Sequence, residues 1–226
     1  MTTVYIISAP SGSGKSTLVN EVRKIVPGLD FSVSYTTRPP RGSEQDGREY
    51  FFVSRPEFEE MVRQDRFLEH AIFGGNYYGT ERRFLREAME HGNDLLLDID
   101  VQGAEQIKRK IPEATSIFVL PPDRAKLEWR LRNRGLDSKA DIDRRLATAR
   151  REIENYDKYD YILVNDRLEE STDLLRAILL YERLRHSGQP LSDQDRGKLA
   201  MAEQCQLKNI RDRIQPILDS FRNDQG

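Results

Sequence analysis

Short runs of aliphatic and β-branched residues at Val4–Ser8, Leu95–Ile99, Ser116–Leu120 and Tyr161–Val164 are separated by longer stretches whose apolar positions recur every three or four residues. The runs have the length of buried strands, and the stretches between them read as helices with one inward face. Ser16–Ile25 is expected to be helical and to stop near Pro27 and Gly28. Ser54 and Glu57 form a capping box for a helix that turns Phe58, Met61 and Val62 inward. A loop is expected over Gly74, Gly75 and Gly79, with Thr80 capping a helix that ends at Gly92. Ile107 belongs to a helix closed by Pro112. Beyond Pro121 and Pro122, Asp123 caps a helix with Leu127 and Leu131, ending at Gly135. Ser138 caps another with Ile142, Leu146, Ala149 and Ile153 inward, and a long helix follows the last strand to about His186. Strands alternating with helices imply an α/β fold with a mainly parallel sheet. Residues 31–53, rich in Ser, Thr, Tyr, Pro and Arg, read as small strands and loops outside that sheet, Tyr50–Val53 among them.

A break at Gly188–Pro190 precedes a charged helical tail over roughly 193–223. In it Leu207, Ile210, Ile214, Ile217 and Phe221 step by three and four, one apolar stripe at heptad spacing. Pro216 sits inside the stripe and should kink the helix. The stripe is expected to pack on the body of its own chain or on a sister subunit, which leaves a homo-oligomer through this helix open.

Composition narrows the partners. The chain has 226 residues, 33% charged and 37% hydrophobic, with a net charge of −2. That is enough for one domain with insertions and a real core, and the balance is globular rather than disordered. Neither a global basic field for nucleic acid nor a polybasic run for a membrane surface is present. Cys205 is the single cysteine, which excludes an intramolecular disulfide or a cysteine-rich zinc site. No apolar run approaches the roughly 20 residues that span a bilayer. A cytoplasmic protein is expected.

The segment Ala9-Pro10-Ser11-Gly12-Ser13-Gly14-Lys15-Ser16 carries the strongest chemical signal. It is a Walker A loop with Ala9 in place of the first glycine, and it follows a strand and opens a helix as that loop must. Its N–H groups can wrap phosphate oxygens, and the helix N-terminus adds positive potential. Lys15 can reach the β- and γ-phosphates, and the Ser16 hydroxyl can ligate Mg²⁺. Asp98 and Asp100, at a strand end, resemble the acid that orients Mg²⁺-bound water in such proteins, although carboxylates there also serve as plain caps.

Further motifs follow in order: Ser34-Tyr-Thr-Thr-Arg38-Pro-Pro-Arg41-Gly-Ser-Glu44-Gln-Asp-Gly47-Arg-Glu-Tyr50, Phe67-Leu-Glu69-His-Ala71 and Gly75-Asn-Tyr-Tyr78-Gly-Thr80. After them come Asp98-Ile-Asp100-Val-Gln-Gly103, Arg134-Gly135, Arg145-Leu146 and Tyr159-Asp-Tyr-Ile-Leu-Val-Asn165-Asp166. Over about residues 3–185 this resembles the guanylate kinases, P-loop kinases of nucleoside monophosphates. The resemblance implies a P-loop NTPase three-layer core with a mainly parallel sheet, a small mixed β subdomain for GMP and a helical lid. It divides the chain into a domain over 1–185 and a helical C-terminal extension over 186–226. Within the domain the core is 1–30, 81–122 and 157–185, the GMP-binding region about 31–80 and the lid about 123–156.

The implied reaction is Mg²⁺-dependent transfer of the γ-phosphoryl group of ATP to GMP, and to dGMP. Lys15, Arg41, Arg134 and Arg145 are implied as catalytic. ATP would lie on Ala9 to Ser16 and Thr17, with Asn165 and Asp166 on the adenine side. GMP would be held by Ser34, Arg38, Arg41, Glu44, Tyr50, Glu69, Tyr78, Thr80 and Asp100, and Mg²⁺ by Ser16 and, through water, Asp98. The residue types suit this. Arginine forks match a dianionic phosphate. Glu69 can accept from guanine N1–H and N2–H₂, whereas adenine reverses that pattern and leaves polar groups unpaired. The acceptor phosphate is already ionised near neutrality, so no general base is required, and His70, His91 and His186 have no assigned role. Two other readings share parts of this pattern: a P-loop kinase for another small phosphate acceptor, and a non-catalytic phosphopeptide-binding module of guanylate-kinase type.

Overall fold

The computed structural model describes residues 2–133, 138–188 and 192–222. In chain order its elements are β1 (Val4–Ser8), α1 (Lys15–Ile25), β2 (Leu29–Phe31), β3 (Tyr35–Thr36), β4 (Phe51–Phe52), α2 (Arg55–Arg63), β5 (Phe67–Phe73), β6 (Asn76–Glu81) and α3 (Arg83–His91). There follow β7 (Asp94–Asp98), α4 (Val101–Lys110), β8 (Thr115–Leu120), α5 (Arg124–Asn133), α6 (Lys139–Ile153), β9 (Tyr161–Val164), α7 (Leu168–Ser187), α8 (Asp193–Glu203) and α9 (Leu207–Arg222). They form two compact units: residues up to Ile6 with Gly28–Ala114, and Ile7–Pro27 with residues from Thr115 onward.

The first unit holds the strand order β2-β7-β1 and a separate mixed sheet ordered β4-β3-β6-β5. β2 runs parallel to β7, in register from Leu29–Asp94 to Phe31–Leu96. This edge strand was not expected from the sequence, because three residues carry too short a pattern to register. In the mixed sheet β3 is parallel to β4 and antiparallel to β6, which pairs antiparallel with β5. Phe58 and Met61, presented by α2, close over Phe67. The expected capping box at Ser54 and Glu57 is formed. Two expectations fail here. Gly79 and Thr80 lie inside β6, not in a loop and a helix cap, and α3 starts only at Arg83. The turn is Gly74-Gly75 alone, both at positive φ, the two-residue hairpin that joins Phe73 to its partner Asn76. A bulge between Phe67 and Glu69 breaks the alternation of β5, so that Leu68 and Glu69 are both buried.

The second unit holds the order β1-β8-β9, β1 being the strand that runs through both. β8 is buried along its whole length, as a strand covered on two faces must be. α1 and α8 each pack on α7. The tail is two helices rather than one. Between them Ile162 N–H donates to Cys205 O at 2.8 Å and Leu207 N–H to Asp160 O at 3.1 Å, so the tail covers the outer edge of β9. The stripe on α9 then buries Ile210, Ile214, Ile217 and Phe221 against its own chain, on β9, α5 and α6. Pro216 lies within α9. Among the described residues no helix is long and apolar enough to cross a membrane.

Candidate active site

The second unit carries a glycine-rich loop between β1 and α1. Gly12 and Gly14 have φ of 97° and 87°, values that side chains disfavour, and they turn the loop back on itself. Space demands glycine as well, because a Cβ on Gly14 would stand 2.6 Å from Asn165 Nδ2. The loop is pinned at Ser13. Its hydroxyl donates to Pro10 O at 2.7 Å, and its carbonyl accepts from Asn165 Nδ2 at 2.8 Å and Arg130 Nη1 at 3.1 Å. Arg130 Nη2 also donates to Asn165 O at 2.9 Å. Burial lowers the pKa of Arg130, against the opposing pull of Asp166 and Asp123. Gly14, the N-cap of α1, brings no side chain to the helix end, and the first turn carries no acid. Its N–H groups and positive end are therefore oriented for an anion. Lys15 is half-buried there, with Ser16 and Thr17 exposed beside it. Ser16 carries an oxygen of the kind that Mg²⁺ takes. Arg145 is half-buried on α6, and Arg134 lies outside the described residues.

The first unit gathers Arg38, Arg41, Glu44, Tyr50 and Tyr78 in one cluster and joins Glu69 to Thr80 in another. Arg38 is only 7% exposed, and its two terminal nitrogens each donate to Glu44, both at 2.9 Å. Glu44 Oε2 also accepts from Arg41 N–H at 2.7 Å. Glu44 thus sets the fork of Arg38 and the turn that carries Arg41. Burial works against the charge of Arg38, but Glu44 and Tyr78 outweigh it and its pKa is raised. The guanidinium lies over the Tyr50 ring at 5.2 Å. Burial first, then Asp98 and Tyr78, pushes the Tyr50 hydroxyl up to about 12, so it remains a donor at neutral pH. Tyr78 packs edge-on against Tyr50.

Glu69 is 3% exposed and accepts from the Thr80 hydroxyl at 2.7 Å. Burial raises its pKa to about 7; Asp100 adds to the rise, while Thr80 and Lys110 oppose it. Asp100 caps α4, its carboxylate accepting from Gly103 N–H at 2.8 Å. Asp98 is half-buried at the end of β7, and Ser34 is half-buried before β3. Among the described residues no group of three or more His, Cys, Asp or Glu is placed to hold a metal. The Ser16 hydroxyl in the second unit and the Asp98 carboxylate in the first are each oxygen ligands of the kind a hard ion takes.

Two residues escaped the sequence reading. Arg130 is one of eight arginines between Asp123 and Ile153, and no spacing sets it apart. Gly103 stood in a motif without a role, and only the packing reveals one. A Cβ there would meet Glu69 Oε2 at 2.5 Å.

The model of the family described as guanylate kinase matches residues 1–182. A guanylate kinase of Koribacter versatilis is 57% identical over 224 residues, 98% of this chain and 96% of that one. One from Escherichia coli K12 is 50% identical over 189 residues, 83% of this chain and 91% of that one. The crystal structure of guanylate kinase from Anaplasma phagocytophilum superposes with a TM-score of 0.68 at 33% identity, covering 81% of this chain and 87% of that chain. A family model that spans most of the sequence, and a relative matched along almost its whole length, make the chain a member of the guanylate kinase family.

Proposed function

We infer that this protein is a phosphotransferase that moves the γ-phosphoryl group of ATP to GMP, giving ADP and GDP, and that it also accepts dGMP. The observation that carries the purine choice is the buried carboxylate of Glu69, fixed by Thr80. Ionised, it accepts from guanine N1–H and N2–H₂, with Asp100 beside it and the Ser34 hydroxyl serving O6, while the Thr80 hydroxyl, whose one proton goes to Glu69, holds the carboxylate in place against the base. An adenine edge leaves these groups unpaired, a mismatch worth about 10⁴ or more in discrimination.

Arg38 and Arg41 hold the acceptor phosphate, with Tyr50 and Tyr78 hydroxyls adding donors and Glu44 setting the arginine fork. The residues from Ala9 to Thr17 hold the ATP phosphates, and Asn165 and Asp166 border the adenine. Ser16 would hold Mg²⁺, with Asp98 reaching it through water, and the ion would supply positive charge that offsets the charge of the phosphates. An oxygen of the GMP phosphate attacks the γ-phosphorus in line, and the bond to the ADP oxygen breaks. The acceptor is already ionised, so no side chain takes a proton. Charge spreads over the transferring phosphoryl oxygens, where Lys15, Arg41, Arg134 and Arg145 stabilise it. Residues 123–156 act as a lid that keeps water from the γ-phosphate, and residues 31–80 form the GMP region. ADP release measured with GMP, dGMP, AMP, dTMP and a sugar phosphate as acceptors tests this reading. Turnover is expected with the two guanine nucleotides alone, and equal rates with AMP would reject it.

A further inference from the structure

The C-terminal tail has no part in the reaction as described, yet it reaches the helix that abuts the phosphate loop. We propose that Ser220 on α9 is a positioning residue for the ATP side, acting through α5; this rests on the phosphoryl-transfer reading above.

α9 is fixed at its start. Leu207 N–H donates to Asp160 O at 3.1 Å beside the bridge between Gln206 and Tyr161, which ties the helix to the edge of β9. Along its length the buried face of α9 packs on β9, α5 and α6. Near its far end the Ser220 hydroxyl donates to Ile217 O at 2.6 Å and accepts from Arg124 N–H at 3.1 Å. Arg124 opens α5, and the first N–H groups of a helix have no partner within it. Asp123 takes one of them, from Lys126 at 2.6 Å, and Ser220 takes another. A residue far along the chain thus completes the cap of α5.

α5 in turn bears on the loop. Leu127 and Leu131 face Gly12 so closely that a Cβ there would stand 2.9 and 2.8 Å from their methyl carbons. Two turns after Arg124, Arg130 donates to Ser13 O and Asn165 O. An unbroken line of hydrogen bonds and packed side chains therefore runs from the edge of β9 through α9 and α5 to the loop backbone. Its anchor lies beyond the segment that the family model matches.

The full chain carries its own reporter, because Trp129, the single tryptophan, sits exposed on α5. Ser220→Ala is expected to raise KM for ATP about three- to tenfold, the scale of a lost helix cap, and to leave KM for GMP within about twofold. It is also expected to shift Trp129 emission in the absence of nucleotide. Ser220→Thr keeps the hydroxyl and should restore both, with Ser220→Cys, a weak acceptor, in between. A folded Ser220→Ala with native KM for ATP, or a Ser220→Thr that behaves like alanine, overturns the proposal. If Ser220→Ala does not fold, equal KM for ATP in the Thr and Cys variants overturns it. Native protein that binds ATP yet forms no GDP refutes the transfer reading instead, and ATP affinity across the same series still decides the role of Ser220.

Discussion

Gly103 and Glu69 fit against each other with no room for one more carbon: a Cβ on Gly103 would lie 2.5 Å from Glu69 Oε2 and 3.0 Å from its Cδ. Glu69 cannot retreat without leaving Thr80, whose hydroxyl it accepts at 2.7 Å. Gly103→Ala is therefore expected to displace the carboxylate that we propose reads guanine. Steady-state kinetics should show kcat/KM for GMP down about 10- to 100-fold with KM for ATP nearly unchanged, the scale of a misplacement of about 1 Å. In a Glu69→Gln background the same change should cost little, since its target is gone. Equal losses in both backgrounds would mean that Gly103 only supports the helix.

If Glu69 reads guanine as proposed, its carboxyl gives GMP binding a pH dependence. Its pKa near 7, set mainly by burial, leaves much of it protonated at neutral pH, and the acid form cannot accept from both guanine donors. KM for GMP is expected to rise as pH falls below about 7. The GMP phosphate itself titrates near about 6, so the comparison is with Glu69→Gln, which should retain only that phosphate component.

The same group affects stability with a definite sign. The folded pKa lies above the unfolded value of about 4.3, so the folded state holds this proton more tightly. The contribution is fully present below that pH and is lost as pH rises through about 7. Between these limits the native protein should lose urea stability relative to Glu69→Gln as pH rises; a native protein that instead gains stability relative to that variant would contradict the burial of this carboxyl.

Lys15→Ala should remove about 10²- to 10³-fold of kcat with little change in thermal midpoint. α1 buries Leu18, Val19 and Val22 on another face, so its packing survives the loss of the lysine. Near-native kcat would disprove the role given to the loop.

Glu44 is the fixed partner of the buried Arg38. Glu44→Gln leaves that guanidinium with a poorer match and weakens the side-chain bond to Arg41 N–H, while the backbone bond from Glu44 N–H to Arg41 O still closes the turn. KM for GMP is expected to rise about tenfold, the scale of one charge-assisted hydrogen bond. An unchanged KM would show that Arg38 needs no holder.

What the sequence revealed was local. The cap at Ser54, the glycine stop at Gly92 and the loop from Ala9 to Ser16 each signal over a few residues, and each is formed in the structure. Gly79 and Thr80 were misassigned because small and hydroxyl residues favour loops and caps, whereas pairing with β5 decides their place. The bulge that buries Glu69 has no signature in a single sequence. Gly103 and Arg130 owe their importance to partners 34 and 117 positions away. The tail stripe was visible, but the break at Cys205–Leu207 follows from bonding to β9, which no helical pattern records.

The most direct measurement is phosphorus NMR of the purified protein with ATP, GMP and Mg²⁺. Equal amounts of ADP and GDP should form while inorganic phosphate stays near its blank. ATP consumed into inorganic phosphate, or an unchanged spectrum from protein that binds both nucleotides, would contradict the account.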